Sequence, residues 1–223
     1  NLACVPPDKE ILTTIAPWFE RRLKEEGVKV LLNADAMTEI EAFAPDKVIL
    51  ATGSLPFVPP IPGKEHAVES WSVLSGETPM PQGKKVVVIG GGNVGCETAL
   101  HLIEKGKNQI AIIEMLPVLS GGQESSHRNR DMAMLKAAQA NLQTNAKVKE
   151  ITDHSVIYEN AEGQTIEEAA GMVVVSTGQR PAGLELYDAL CEMGFDVVKA
   201  GDAMGMGNIR SNVLSGFLNG YNA

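Results

Sequence analysis

Lys84-Lys85-Val86-Val87-Val88-Ile89-Gly90-Gly91-Gly92-Asn93-Val94-Gly95, with Glu114 nineteen positions beyond the last glycine, is the stretch that decides the fold. Val86 to Ile89 form a β-branched apolar run, the mark of a strand buried on both faces of a parallel sheet. Gly90, Gly92 and Gly95 follow at Gly-x-Gly-x-x-Gly spacing, and Cys96 to Lys105 read as the next helix. Gln109 to Ile113 predicts a second strand and puts Glu114 at its carboxyl end. Each residue type has a task in such a unit. Gly90 permits the sharp turn off the strand, Gly92 removes a side chain where a pyrophosphate approaches the backbone, and Gly95 lets the helix pack on the sheet. The turn and helix start, with Gly91, Asn93 and Val94, offer backbone N–H groups to the phosphates. Glu114 accepts hydrogen bonds from ribose hydroxyls and repels a 2′-phosphate, so NADH is expected over NADPH. His127, Arg128 and Arg130 leave a rival NADPH reading open, since an arginine binds a 2′-phosphate; a solvated helix start is the plainer account of them.

Composition bounds what surrounds this unit. The chain has 223 residues, 44% of them hydrophobic, enough for one large or two modest cores. A net charge of −9, from 28 acidic against 19 basic side chains, argues against nucleic acid and an anionic membrane surface as partners. No apolar run reaches the length of a bilayer span, and Asn1-Leu2-Ala3-Cys4-Val5-Pro6-Pro7 lacks the regions of a signal peptide, so a cytoplasmic location is expected. Cys4, Cys96 and Cys191 are scattered and contain no Cys-x-x-Cys, which argues against a redox-active dithiol. Cys96 reads as a small packing residue. The four histidines are isolated from one another, and no metal site is expected.

Along the chain, helices and strands alternate. Asp8 to Glu26 is an amphipathic helix that Pro17 is expected to kink or split, ended by Gly27. Val28 to Leu32 and Ala36 to Ala42 read as strands, as does Lys47 to Leu50, which runs into Ala51-Thr52-Gly53-Ser54. Pro56, Pro59, Pro60 and Pro62, closed by Gly63, make a connector. After Glu114 come a glycine break at Gly121-Gly122 and a helix from about His127 to Leu142. Ala146 to Thr152, Ser155 to Glu159 and Thr165 to Glu168 predict an antiparallel set with a turn at Ala161-Glu162-Gly163. Met172 to Val175 is an apolar strand ending in Ser176-Thr177-Gly178, which echoes Ala51-Thr52-Gly53 and points to two related nucleotide-binding units.

The order of Val48-Ile49-Leu50-Ala51-Thr52-Gly53, the proline connector, Trp71-Ser72-Val73-Leu74-Ser75-Gly76, the glycine fingerprint, Glu114-Met115-Leu116-Pro117, Ser176-Thr177-Gly178-Gln179-Arg180-Pro181 and Ala200-Gly201-Asp202-Ala203 resembles a two-dinucleotide flavoprotein. More closely, the chain is similar to the C-terminal reductase portion of NADH:flavin oxidoreductases of the Old Yellow Enzyme type: 2-enoate reductase, 2,4-dienoyl-CoA reductase and trimethylamine dehydrogenase relatives. The resemblance implies an α/β, Rossmann-like fold in which an NAD(H) domain is inserted in an FAD domain. It places a partial FAD-binding domain at 1–63 with its first βαβ missing, the NAD(H)-binding domain at 64–183 and the FAD-domain return segment at 184–223.

Cofactors and roles follow from the same resemblance. NADH is held by residues 90–95 and Glu114, with Glu97 and Thr177-Gly178 near the nicotinamide nucleotide; Thr52-Gly53 and Gly201-Asp202 lie by FAD, whose site is incomplete here. FMN, an iron–sulfur cluster and a barrel that reduces an activated carbon–carbon double bond belong to absent regions of the parent enzyme. Hydride passes from NADH to FAD, and no side chain of this chain is expected to be catalytic. The oligomeric state, a homo-oligomer included, stays open, as does the parent's substrate. Two other readings also stay open: an NAD(H)-binding regulatory module without electron transfer, and a structural or docking module that keeps the fold, loses the nicotinamide function and holds only an adenine nucleotide.

Overall fold

The computed structural model describes residues 2–223. In chain order its elements are α1 (Ile15–Glu25), α2 (Ala36–Phe43), β1 (Val48–Leu50), β2 (Ser54–Pro56), β3 (Ala67–Glu69), α3 (Ser70–Ser75), β4 (Lys85–Ile89), α4 (Asn93–Gly106), β5 (Gln109–Ile113), α5 (Ser125–Ala137), β6 (Asn141–Gln143), β7 (Lys147–Ile151), β8 (Ser155–Glu159), β9 (Thr165–Ala169), β10 (Met172–Val175), β11 (Gln179–Pro181), α6 (Leu184–Glu192), β12 (Val197–Lys199) and α7 (Ile209–Tyr221). They form two compact units. One comprises the N-terminal residues to Phe19 together with Pro56–Gly178, and the other comprises Glu20–Leu55 with Gln179–Ala223. The sequence-based boundaries after 63 and 183 fall a few residues later, the proline connector packing with the first unit through Val58 and Ile61, and the residues up to Phe19, expected in one domain with 20–63, belong to the first unit instead.

The larger unit is a five-stranded parallel sheet in the order β3-β10-β4-β5-β6. Val87, Val88 and Ile112 are at most 1% exposed, which explains why these strands read as unbroken apolar runs. One face packs α4 and α5 through Val86, Val88, Leu100, Leu102 and Leu135. The other packs a three-stranded antiparallel layer, β7-β8-β9, through Val87, Ile113, Val156 and Tyr158. Glu69 caps α3, accepting from the backbone N–H groups of Trp71 and Ser72 at 2.7 Å, and Gly76 ends that helix at φ 82°. In the smaller unit β1 runs parallel to β12, over a core of Val48, Leu50, Leu190 and Val197 with Met37 and Ile40 of α2. No helix among the described residues is long and apolar enough to cross a membrane.

The structure corrects four local expectations. Asp8 to Glu26 is not one α-helix: it is split into a 3-10 turn at Glu10–Thr14 and α1, and Pro17 is the third residue of α1, in the first turn, where an amide proton has no intrahelical acceptor to lose. Val28 to Leu32 forms no strand and its residues are exposed, since no neighbouring strand receives its hydrogen bonds. Ala36 to Ala42 is helical because Asp35 caps it, accepting from Thr38 N–H at 2.9 Å; those bonds hold the Asp35 carboxyl below its usual range. The helix after Gly121-Gly122 stops at Ala137, Gln139 takes φ 57°, and Leu142 instead enters β6 beside Ile112.

Candidate dinucleotide-binding site

The glycine turn lies between β4 and α4, at the carboxyl edge of the sheet where the chain order reverses, with β5 on one side of β4 and β10 on the other. Gly90 has φ 99°, its N–H donates to Ile113 O at 2.9 Å, and a side chain there would overlap the Ser176 carbonyl oxygen. A side chain at Gly95 would strike the carbonyl of Gly90, and one at Gly91 the Leu119 side chain. Gly92 differs. A Cβ on it meets nothing within 4 Å, so this glycine keeps open the space outside the turn. The first intrahelical bond of α4 is Cys96 N–H to Gly92 O at 3.0 Å, which leaves the amides of Asn93, Val94 and Gly95 without helical acceptors.

Glu114 follows β5 and is 7% exposed. Its two carboxylate oxygens accept from the amides of Gly91 at 2.6 Å and Leu116 at 2.7 Å. These bonds tie the acidic group to the glycine turn, and each oxygen retains a further acceptor site. A cavity of about 480 Å³ opens here, lined by Gly90, Gly92, Glu114, Thr177 and Gly178 and walled by Ile61, Met115, Leu116 and Val148. The aliphatic walls suit a planar base, the carboxylate suits ribose hydroxyls, and the turn suits phosphates.

The remaining expected residues fall into separate places. Glu97, in the first turns of α4, does not line the cavity; it pairs with Lys9 and accepts weakly from Gln123 Nε2 at 3.5 Å. Thr177 Oγ1 donates to Phe57 O at 2.7 Å and Gly178 has φ 100°. In the smaller unit Thr52 Oγ1 donates to Ala182 O at 2.6 Å and Gly53 has φ 74°. The two Thr-Gly turns thus hold their partner strands by the same bond, the physical counterpart of the sequence echo. Gly201 has φ 61°, and Asp202 Oδ1 accepts from Gly207 N–H at 3.0 Å and Asn212 Nδ2 at 2.8 Å, bracing the loop that leads into α7. Asn208 and Ser211 form a capping box at that helix start.

The basic cluster is engaged elsewhere. Arg128 Nε donates to Leu119 O at 2.9 Å, and Arg130 pairs with Asp8 at 3.3 Å and with the buried Asp131 at 3.2 Å. Cys96 is fully buried; burial pushes its thiol up to about 11, so it is no nucleophile at neutral pH. Among the described residues no group of three or more His, Cys, Asp or Glu side chains could hold a metal ion. Sequence reading missed Ala146, Lys147 and Val148 as cavity residues; β7 belongs to the antiparallel layer, and nothing local in its sequence shows that its start faces the turn.

Residues 35–201 match the family described as pyridine nucleotide-disulphide oxidoreductase, and the chain belongs to that family. It is similar to an NADH oxidase of Thermoanaerobacter brockii, 39% identical over 97% of this chain and 34% of that protein. It is also similar to a cinnamate reductase of Clostridium sporogenes, 34% identical over 96% of this chain and 32% of that protein. Among solved structures, a 2-naphthoyl-CoA reductase superposes with a TM-score of 0.88 at 23% identity, covering 97% of this chain and 33% of that one, which shows the shared two-dinucleotide flavoprotein fold. The chain spans about a third of the length of the curated relatives it matches.

The family implies NAD(H) and FAD, and the residues of the glycine-turn cavity fit a dinucleotide. There the fit is the space beside Gly92 and the anchored carboxylate of Glu114. In the smaller unit Gly53 and Gly201 stand at positive φ with no close neighbour to a Cβ, which leaves their turns open.

Proposed function

We propose that the chain is the NADH-binding reductase part of a flavin-dependent oxidoreductase whose longer form reduces an activated carbon–carbon double bond. The single observation that carries this reading is Glu114, buried and bonded to the Gly91 amide at the mouth of a cavity that Gly92 keeps open. Residues 90–95 bind the pyrophosphate through backbone amides, and Glu114 orients the adenosine ribose. Thr177 and Gly178 line the same cavity, and its aliphatic wall would pack against the base. In the smaller unit Thr52, Gly53, Gly201 and Asp202 hold the loops that border the flavin. With both cofactors bound, the nicotinamide would supply hydride and the flavin would accept it. Glu97, held by Lys9, keeps a carboxylate at the start of the nucleotide helix without entering the adenosine cavity. Among the described residues no cluster of three or more His, Cys, Asp or Glu side chains offers ligands for an iron–sulfur centre, and that centre and FMN are assigned to other parts of the longer protein.

Support for the double-bond chemistry comes from the similarity to a cinnamate reductase, cinnamate being an enoate, and from the NADH oxidase relative for the electron donor. The test is anaerobic addition of NADH to the flavin-loaded longer protein of which this chain is part. Bleaching of the visible flavin band is expected, followed by its return when cinnamate or another enoate is added. NADH binding that leaves the band unchanged would replace this reading by that of an NAD(H)-binding regulatory module.

A further inference from the structure

Only two of the side chains lining the nucleotide cavity carry charge, Glu114 and Lys147. Their situations are opposite. Glu114 is buried and fixed by two amides, whereas Lys147, the first residue of β7, is exposed. The residue directly across the strand pair from Lys147 is Glu159, the obvious partner for its ammonium. Glu159 pairs instead with Lys149 at 3.0 Å, on the side of β7 where an irregularity between Val148 and Glu150 shifts the register. Among the described residues Lys147 therefore makes no ion pair, and it is one of the residues that line the cavity. Its neighbour Ala146 fixes it there, because the Ala146 N–H donates to Glu114 O at 2.9 Å. A compact, flexible cation thus stands one residue from the strand end that carries the ribose-binding carboxylate.

We infer that Lys147 sets how strongly the site rejects a phosphorylated ribose: it gives the adenosine end a counter-charge for a 2′-phosphate, so that NADPH is admitted as a weaker ligand beside NADH. The inference rests on the nucleotide site proposed above. Glu114 repels the 2′-phosphate and Lys147 attracts it, and the selectivity is the difference of the two. The arginines at positions 128 and 130 do not supply this charge, since they are held by Leu119, Asp8 and Asp131. Lys147 projects from an exposed strand start, so its replacement leaves the core untouched.

Titration of the chain and of Lys147→Ala and Lys147→Arg with NADH, NADPH and 2′-phosphoadenosine 5′-phosphate tests this. Lys147→Ala is expected to weaken NADPH and the phosphoadenosine about tenfold and NADH less than about twofold, while Lys147→Arg stays close to the original chain. Equal effects on NADH and NADPH, no effect on either, or a parent chain that binds NADH but not NADPH overturns the role given to Lys147 and leaves the nucleotide site standing. A parent chain that binds none of the three overturns the site itself.

Discussion

Four glycines within six residues carry different burdens, and substitution separates them. A valine at Gly92 enters open space from ordinary backbone (φ −67°), so the fold tolerates it; the same side chain occupies the approach to the turn. Gly92→Val is expected to retain its urea unfolding midpoint while nucleotide affinity falls by about a hundredfold or more, as judged by nicotinamide fluorescence. Gly95→Val meets the Gly90 carbonyl and the Ser176 side chain instead, and overpacking of this kind costs about 1–3 kcal/mol or more in unfolding free energy. The place of Glu114 after a strand made it readable as a candidate ribose ligand. Its bond to the Gly91 amide was not readable, because a hydrogen bond across 23 residues leaves no mark on local sequence.

At the scale of elements, the parallel sheet depends on side chains with no access to water. Ile112 is 0% exposed between two neighbouring strands, and Ile112→Ala is expected to lower the unfolding free energy by about 2–5 kcal/mol in urea titration. Helix α4 also carries His101, 8% exposed, with Nδ1 unpartnered. Burial first, then the Lys105 charge, pushes its ring below the ordinary histidine value; Glu104 and a hydrogen bond to the Val5 backbone act the other way. A histidine kept neutral in the fold binds its proton more readily when unfolded. Its contribution is complete above the ordinary value near 6.5 and is lost as pH falls below it. Between about pH 7 and 5 the unfolding midpoint is expected to fall, and His101→Leu to flatten that slope. A slope unchanged in the variant would assign it to other groups.

Elements with strong periodicity were readable in advance: β4, β5, β8 and β10 lie where their apolar runs place them. The misread segments share a cause. In α2 a capping aspartate outweighs an ambiguous seven-residue pattern, and in β6 a short apolar remnant pairs with a distant strand rather than extending the helix before it. Val28 to Leu32 has strand composition but no partner, and composition alone does not make a strand.

At the scale of the molecule, the two units share one construction. Each ends a parallel strand in a Thr-Gly turn whose hydroxyl bonds the chain returning past it. Family membership and this internal echo support a reading in which one unit holds the electron donor and the other borders the acceptor. The most direct test is calorimetric titration of the chain with NADH and NADPH. The account predicts that both bind at one site, NADH more tightly, and that Gly92→Val abolishes both. Equal affinities, or binding that survives Gly92→Val, would contradict it.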